Sequence, residues 1–282
     1  MAKVVVVTDS TAYLPPDLTQ RHGIQVAPLY VNWDGQTYRD GVDITLADFY
    51  ARLKTSKSMP STSQTTPDDF SKIFSPILAG GNEVLGVFIS SKLSGTLESA
   101  WQVKNAMPSA PIELVDSFSS AMALGFVALA AARAAESGAS LAEAAAIARR
   151  TVEYTNVIFV VDTLEYMHRG GRIGGAKRFL GTALNLKPLL TVVDGKVEAL
   201  ESVRTKSKAT ERMLDVIEER VGGRRPLRLS PLHAAAPEEV QALMKAAAAR
   251  FNPEECFLSE VSPAIGTHVG PGTIGIAYCA GI

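Results

Sequence analysis

Three short apolar runs, each ending in a loop of hydroxyl and carboxylate side chains, constrain this chain most strongly. Val4–Val7 leads into Thr8-Asp9-Ser10-Thr11, Val84–Ile89 into Ser90-Ser91-Lys92-Leu93-Ser94-Gly95-Thr96, and Ile112–Val115 into Asp116-Ser117. A β-branched run without polar alternation suits a strand buried on both faces, as in a parallel sheet covered by helices. The segments between supply helical periodicity. Thr45 is placed to cap Leu46, Phe49 and Leu53, and Ser94 or Thr96 to cap Leu97, Ala100, Trp101 and Val103. The expected class is α/β, with hydroxyl-bearing strand-to-helix loops where open parallel sheets usually bind ligands. Ile24–Val31 reads as one further strand and Pro60–Pro67 as a loop.

The pattern changes after Asn156. Val157–Val161 reads as a strand, and Leu189–Val193 and Lys196–Ser202 flank Asp194-Gly195, a strong hairpin signal. Helices are expected over Lys206–Arg220 and Pro237–Ala249, with strands at Leu227–Leu232, Cys256–Val261 and Thr273–Tyr278. The Ala-rich helix from about Ser119 to Glu136 is small and apolar almost all round, which predicts burial against several elements. Two domains follow: residues 1–155 with a largely parallel sheet and flanking helices, and residues 156–282, an α/β domain with a mixed or antiparallel sheet.

Charge narrows the function. With 28 basic and 29 acidic residues the net charge is -1, so no global field draws the chain to nucleic acid or an anionic membrane. Cys256 and Cys279 form neither a disulfide framework nor a metal motif, which favours a reducing, cytoplasmic setting. The apolar run after Lys3 ends at Val7, short of a signal peptide, and Phe118–Ala132 is too short to span a bilayer. No Walker A, HExxH, EF-hand or GxSxG pattern is present, and His22, His168, His233 and His268 lack metal-ligand spacing. The run Gly170-Gly171-Arg172-Ile173-Gly174-Gly175 lacks the spacing and strand context of a dinucleotide loop. No metal and no cofactor is expected.

What remains is a recurrent set of uncharged hydroxyls, with His268 in the glycine-rich segment Gly266–Gly272 and the cations Arg169, Arg172 and Arg204. Such groups can hold an oxyanion by directed hydrogen bonds. Each also has a plainer role: helix capping for Ser94 and Thr96, a surface turn for Thr62, Ser63 and Gln64, solvent-facing ion pairs for the arginines. Among the glycines, His268 is not expected on a regular helix. A hydrolase built on Ser94 and His268, with Asp9 or Asp116 orienting the histidine, is a second reading. A non-enzymatic regulatory or scaffold protein is a third.

The ordered set Val5-Val6-Val7-Thr8-Asp9-Ser10, Ser61-Thr62-Ser63-Gln64, Ser90–Thr96, Val115-Asp116-Ser117, Gly170–Ile173, Arg204–Ala209 and Gly266–Gly272 resembles the DegV family of bacterial fatty-acid-binding proteins, over nearly the whole chain. The resemblance implies a two-domain DegV-like fold with a lipid tunnel near the domain junction and no catalytic residue. It implies that Thr62 and Ser94 bind the carboxylate of a long-chain fatty acid, with Arg172, Arg204 and His268 as the supporting polar network. It further implies, from some relatives, a separate ATP-dependent fatty-acid kinase to which the bound acid is presented for acyl phosphate formation.

Overall fold

A computed structural model describes residues 2–181 and 186–282. In the N-terminal domain the strands Gln25–Ala27, Val4–Asp9, Glu83–Phe88 and Ile112–Asp116 lie side by side in that order, all parallel. Alternation along these strands divides the core. Val7, Val84 and Phe88 face the helices Pro67–Ala79 and Thr96–Ala106 through Phe70, Phe74 and Leu97, whereas Val6, Leu85 and Val87 face the opposite side. Burial on both faces is why these strands need no polar residue in every second place.

The C-terminal domain holds the second large sheet. Its order is Lys196–Val203, Lys187–Val193, Thr155–Val160, Ile274–Ala280, Leu227–His233 and then the short strand Glu255–Cys256, with Ser259–Glu260 also beside Leu227–His233. Pairing is antiparallel except for the two short strands, which run parallel to Leu227–His233. The hairpin expected at Asp194-Gly195 is present, both residues taking the positive φ (49° and 78°) that a tight two-residue turn demands. Helices Lys206–Val221 and Pro237–Phe251 cover the outer face through Met213, Ile217 and Leu243.

Helix Ala121–Glu136 lies between the two sheets, touching Val4–Asp9 and Glu83–Phe88 on one side and Thr155–Val160 and Ile274–Ala280 on the other. This explains its all-round small apolar surface: a larger side chain on either flank would push a sheet away.

Three expectations fail for local reasons. The run 24–31 is two strands rather than one, because Pro28 breaks it after Ala27; Tyr30–Trp33 then joins a separate antiparallel sheet between Gln36–Arg39 and Ser61–Ser63. The segment Pro60–Pro67 is therefore not wholly a loop. Thr62 sits on a strand, opposite Val31. Likewise Gly266–Gly272 is not all loop: Pro263–Val269 is a short helix carrying His268 in its last turn, begun by Pro263 at the first helical position. Gly266 permits it to pack tightly, since a Cβ there would overlap Phe49 and Tyr50.

Candidate functional site

The parallel sheet sends its chain first to one side and then to the other, which makes the carboxyl ends of Val4–Asp9 and Glu83–Phe88 a topological switch point. Asp9 fixes this point. Its carboxylate, fully buried, accepts from Thr11 N (3.0 Å), Thr11 Oγ1 (2.6 Å) and Ile89 N (2.7 Å), tying the two strand ends together. Burial nonetheless outweighs those bonds and raises its pKa to about 6.

Beside the switch point is a cavity of about 390 Å³, within the ~300–1,000 Å³ typical of small-molecule sites. Its wall takes Leu29, Ile89 and Leu93 from the N-terminal domain, and Val157, Phe159, Val192, Val197 and Leu232 from the C-terminal sheet. Val157 and Phe159 alternate with Ile158 and Val160, which face the outer helices instead. These walls are hydrocarbon, supplied by the inward faces of two domains.

Polar groups gather at the mouth. Thr62, Gln64, Ser94, Arg172 and His268 all line the cavity, with Gln64 and Arg172 exposed and Thr62 and Ser94 half-buried. Thr62 Oγ1 and His268 Nε2 are 2.8 Å apart, a hydrogen bond spanning 206 positions of sequence. Ser94 Oγ contacts Thr96 Oγ1 at 2.9 Å and accepts from Thr96 N at 3.3 Å, so it does not cap the helix Thr96–Ala106 in the expected way; Gly95 occupies the cap position. Arg172 donates through Nε to Leu93 O (3.2 Å) and through Nη1 to Gly170 O (2.8 Å), bridging the two domains across the opening. Arg204 lies outside the cavity lining, exposed just beyond the strand Lys196–Val203.

His268 is 8% exposed, and burial with the nearby positive charge of Arg172 pushes its pKa down to about 4. The ring is neutral at pH 7. Its Nδ1 has no hydrogen-bond partner among the described residues and faces Gly170, where a Cβ would overlap it. That contact accounts for one glycine of the run that superficially suggests a nucleotide loop. The helix bearing His268 is anchored by Asp40, whose carboxylate accepts from Ala264 N (3.1 Å) and Ser10 Oγ (2.6 Å).

The hydrolase arrangement is not assembled. His268 is bonded to Thr62 rather than Ser94, no carboxylate meets its Nδ1, and Asp116 accepts from the backbone of Ser91 (3.2 Å) and Phe118 (2.8 Å). Among the described residues no group of three or more His, Cys, Asp or Glu side chains is placed to hold a metal, and no helix is long and apolar enough to cross a membrane. Cys256 and Cys279 are both free thiols, the first exposed and the second buried.

Comparison with known proteins decides the family. The model described as "Uncharacterised protein, DegV family" matches residues 3–281. The chain belongs to the DegV family. A DegV domain-containing protein of Mycobacterium tuberculosis is 40% identical over 281 residues, covering 99% of this chain and 98% of its own. Among solved structures, a fatty-acid-binding DegV family protein from Thermus thermophilus superposes with a TM-score of 0.94 at 38% identity, covering 99% of each chain. DegV from Bacillus subtilis, described as a fatty acid binding protein, superposes with a TM-score of 0.90 at 30% identity, covering 99% of this chain and all (100%) of that one. The two-domain DegV architecture, parallel sheet first and mixed sheet second, is thereby established for this chain.

Sequence reasoning did not assign the wall residues. Period-two alternation shows that Val157 and Phe159 share a face, but not that this face borders a cavity rather than packed core. Ser120 and Ala121 also line the cavity, and nothing in the Ala-rich pattern that begins there marks them as wall residues.

Proposed function

We propose that this DegV protein binds a long-chain fatty acid, its tail in the cavity and its carboxylate at the mouth between Thr62 and Ser94. The observation that supports this best is the cavity's polarity: a largely hydrocarbon wall supplied by two domains, ending at the Thr62–His268 pair and Arg172. Relatives described as fatty-acid-binding, with the same fold throughout, support the ligand class.

The neutral ring of His268 suits the role. If Nε2 holds the proton and donates to Thr62 Oγ1, the Thr62 hydroxyl hydrogen is free to donate to a carboxylate. The other tautomer would bury an N–H at Nδ1 with no acceptor, a cost of about 1–3 kcal/mol. Ser94 supplies a second hydroxyl, and Arg172 a long-range positive charge at the opening.

Retention comes from the tail. Fourteen methylenes at ~0.8 kcal/mol each give about 11 kcal/mol of gross transfer free energy, before chain ordering is subtracted. Head-group bonds of ~1.5–3 kcal/mol each fix which end faces out. Affinity measured by displacement of a fluorescent fatty acid should therefore rise with each added methylene from twelve carbons upward until the cavity is full. Affinity independent of chain length would contradict a buried tail.

A carboxylate at the mouth is presented to solvent, the arrangement required for handing it to a separate ATP-dependent fatty-acid kinase that forms the acyl phosphate. Arg204, exposed and outside the lining, belongs in this reading to partner approach rather than to ligand contact. Arg204→Ala should leave fatty-acid affinity unchanged and lower acyl-phosphate yield in a kinase-coupled assay; lowered affinity with normal yield would reverse the assignment.

A further inference from the structure

The buried start of helix Ala121–Glu136 contains more hydrogen-bonding capacity than the protein uses. Ser120 is the cap residue, yet its side chain makes no capping bond; its Oγ is buried without a partner among the described residues, and the residue is only 7% exposed. The amides of Ala121, Met122 and Ala123 have no hydrogen-bond partner among the described residues, although these residues are 6%, 0% and 0% exposed. Native helix ends that are buried normally satisfy these donors with a side chain, water or a ligand. The backbone is also strained here: Ala121 takes a φ of 55°, a left-handed value that costs a residue with a Cβ. Both Ser120 and Ala121 line the cavity. A saturated hydrocarbon lying against these two residues would leave the Ser120 hydroxyl and the Ala121 amide unsatisfied.

We infer that the start of helix Ala121–Glu136, with Ser120, is a second polar locus in the acyl cavity, built to receive an oxygen atom carried on the ligand's chain. The ligand class is then an oxygenated long-chain fatty acid, with a hydroxyl or oxo group along the chain. This rests on the fatty-acid reading and sharpens its substrate. The chemistry is complementary at both atoms. An oxygen acceptor meets the Ala121 N–H at the positive end of a 16-residue helix. A ligand hydroxyl can in addition donate to Ser120 Oγ, which has no other donor. The locus is built on other elements than the mouth: Thr62 stands on a strand and His268 on the short helix Pro263–Val269, whereas Ser120 and Ala121 open the helix Ala121–Glu136.

The test is a competition series on the full chain, using octadecanoic acid and its hydroxy and oxo derivatives substituted at successive chain positions. At least one positional isomer should bind about five-fold or more tightly than octadecanoic acid itself, the gain expected of one added buried hydrogen bond. Ser120→Ala, and independently Ser120→Gly, should reduce that preference, read in each variant as the ratio of the favoured isomer's affinity to that of octadecanoic acid. Because Ser120 Oγ has no hydrogen-bond partner among the described residues, the melting temperature of Ser120→Ala should be unchanged or higher. The inference is overturned if octadecanoic acid binds as tightly as every isomer, the result expected when only a water occupies the locus. It is also overturned if the ranking of isomers survives both variants. Failure of octadecanoic acid itself to bind would instead remove the fatty-acid reading, and this inference with it.

Discussion

Replacing Thr62 by valine isolates the head-group chemistry, because valine keeps the β-branched shape that suits the strand Ser61–Ser63 and removes only the hydroxyl. In the native site Thr62 Oγ1 pairs with His268 Nε2 at 2.8 Å, and His268 Nδ1 is already unpaired. The variant therefore leaves a buried imidazole with no partner and the carboxylate short of one donor. A charge-assisted bond of ~1.5–3 kcal/mol corresponds to a loss of about 13- to 160-fold in affinity for the acid. A methyl ester offers only a neutral acceptor, where the same hydroxyl contributes ~0.5–1.5 kcal/mol, or roughly 2- to 13-fold. Discrimination between hexadecanoic acid and methyl hexadecanoate should thus shrink by about ten-fold in Thr62→Val, measured by competitive displacement at pH 8. Thr62→Ser should retain it. An acid-to-ester ratio unchanged in Thr62→Val would refute the assignment of the Thr62 hydroxyl to the carboxylate.

Three further outcomes are expected. Gly170→Ala places a methyl group on His268 Nδ1, so the ring must turn from Thr62, and acid-to-ester discrimination should fall as in Thr62→Val; intact discrimination would show that the ring moves freely. His268 has its pKa lowered from 6.5 to about 4, so its contribution to stability is full above pH 6.5 and is lost as pH falls through 4. Urea denaturation should show wild type losing roughly 3 kcal/mol relative to His268→Ala between pH 7 and pH 4, and a constant gap would contradict the buried neutral ring. Asp9, raised from 3.8 to about 6, has the opposite sign: its contribution is full below pH 3.8 and is lost as pH rises through 6. Wild type should therefore gain about 3 kcal/mol on Asp9→Asn between pH 7 and pH 4, and a gap that narrows over this range would reverse the sign.

The parts of the fold that could be read from sequence are those fixed by burial. Val4–Val7 and Val84–Ile89 are β-branched or apolar at every position because helices cover both faces, and the Ala-rich helix is small all round because it separates two sheets. Asp194-Gly195 announces its turn through conformations few other pairs adopt. The strand Ser61–Ser63 gave no such signal: its residues are polar, Ser61 and Ser63 are exposed, and its pairing with Tyr30–Asn32 is a tertiary event. Helix Pro263–Val269 was hidden by Gly266, whose lack of a side chain reads as a break but serves close packing on Tyr50. The site residues were reachable only through family resemblance. Thr62, Ser94, Arg172 and His268 are scattered over some 200 positions, 206 separating Thr62 from His268, and no local period links them. Arg204 joined them in sequence pattern but not in the cavity wall.

The central claim, that the cavity between the domains holds a long-chain fatty acid, is tested most directly by native mass spectrometry of the purified protein, followed by organic extraction and identification of what is released. One equivalent of a long-chain fatty acid per chain, displaced by added acid and not by its methyl ester, is the predicted result. A protein that emerges empty and takes up no added fatty acid would contradict it.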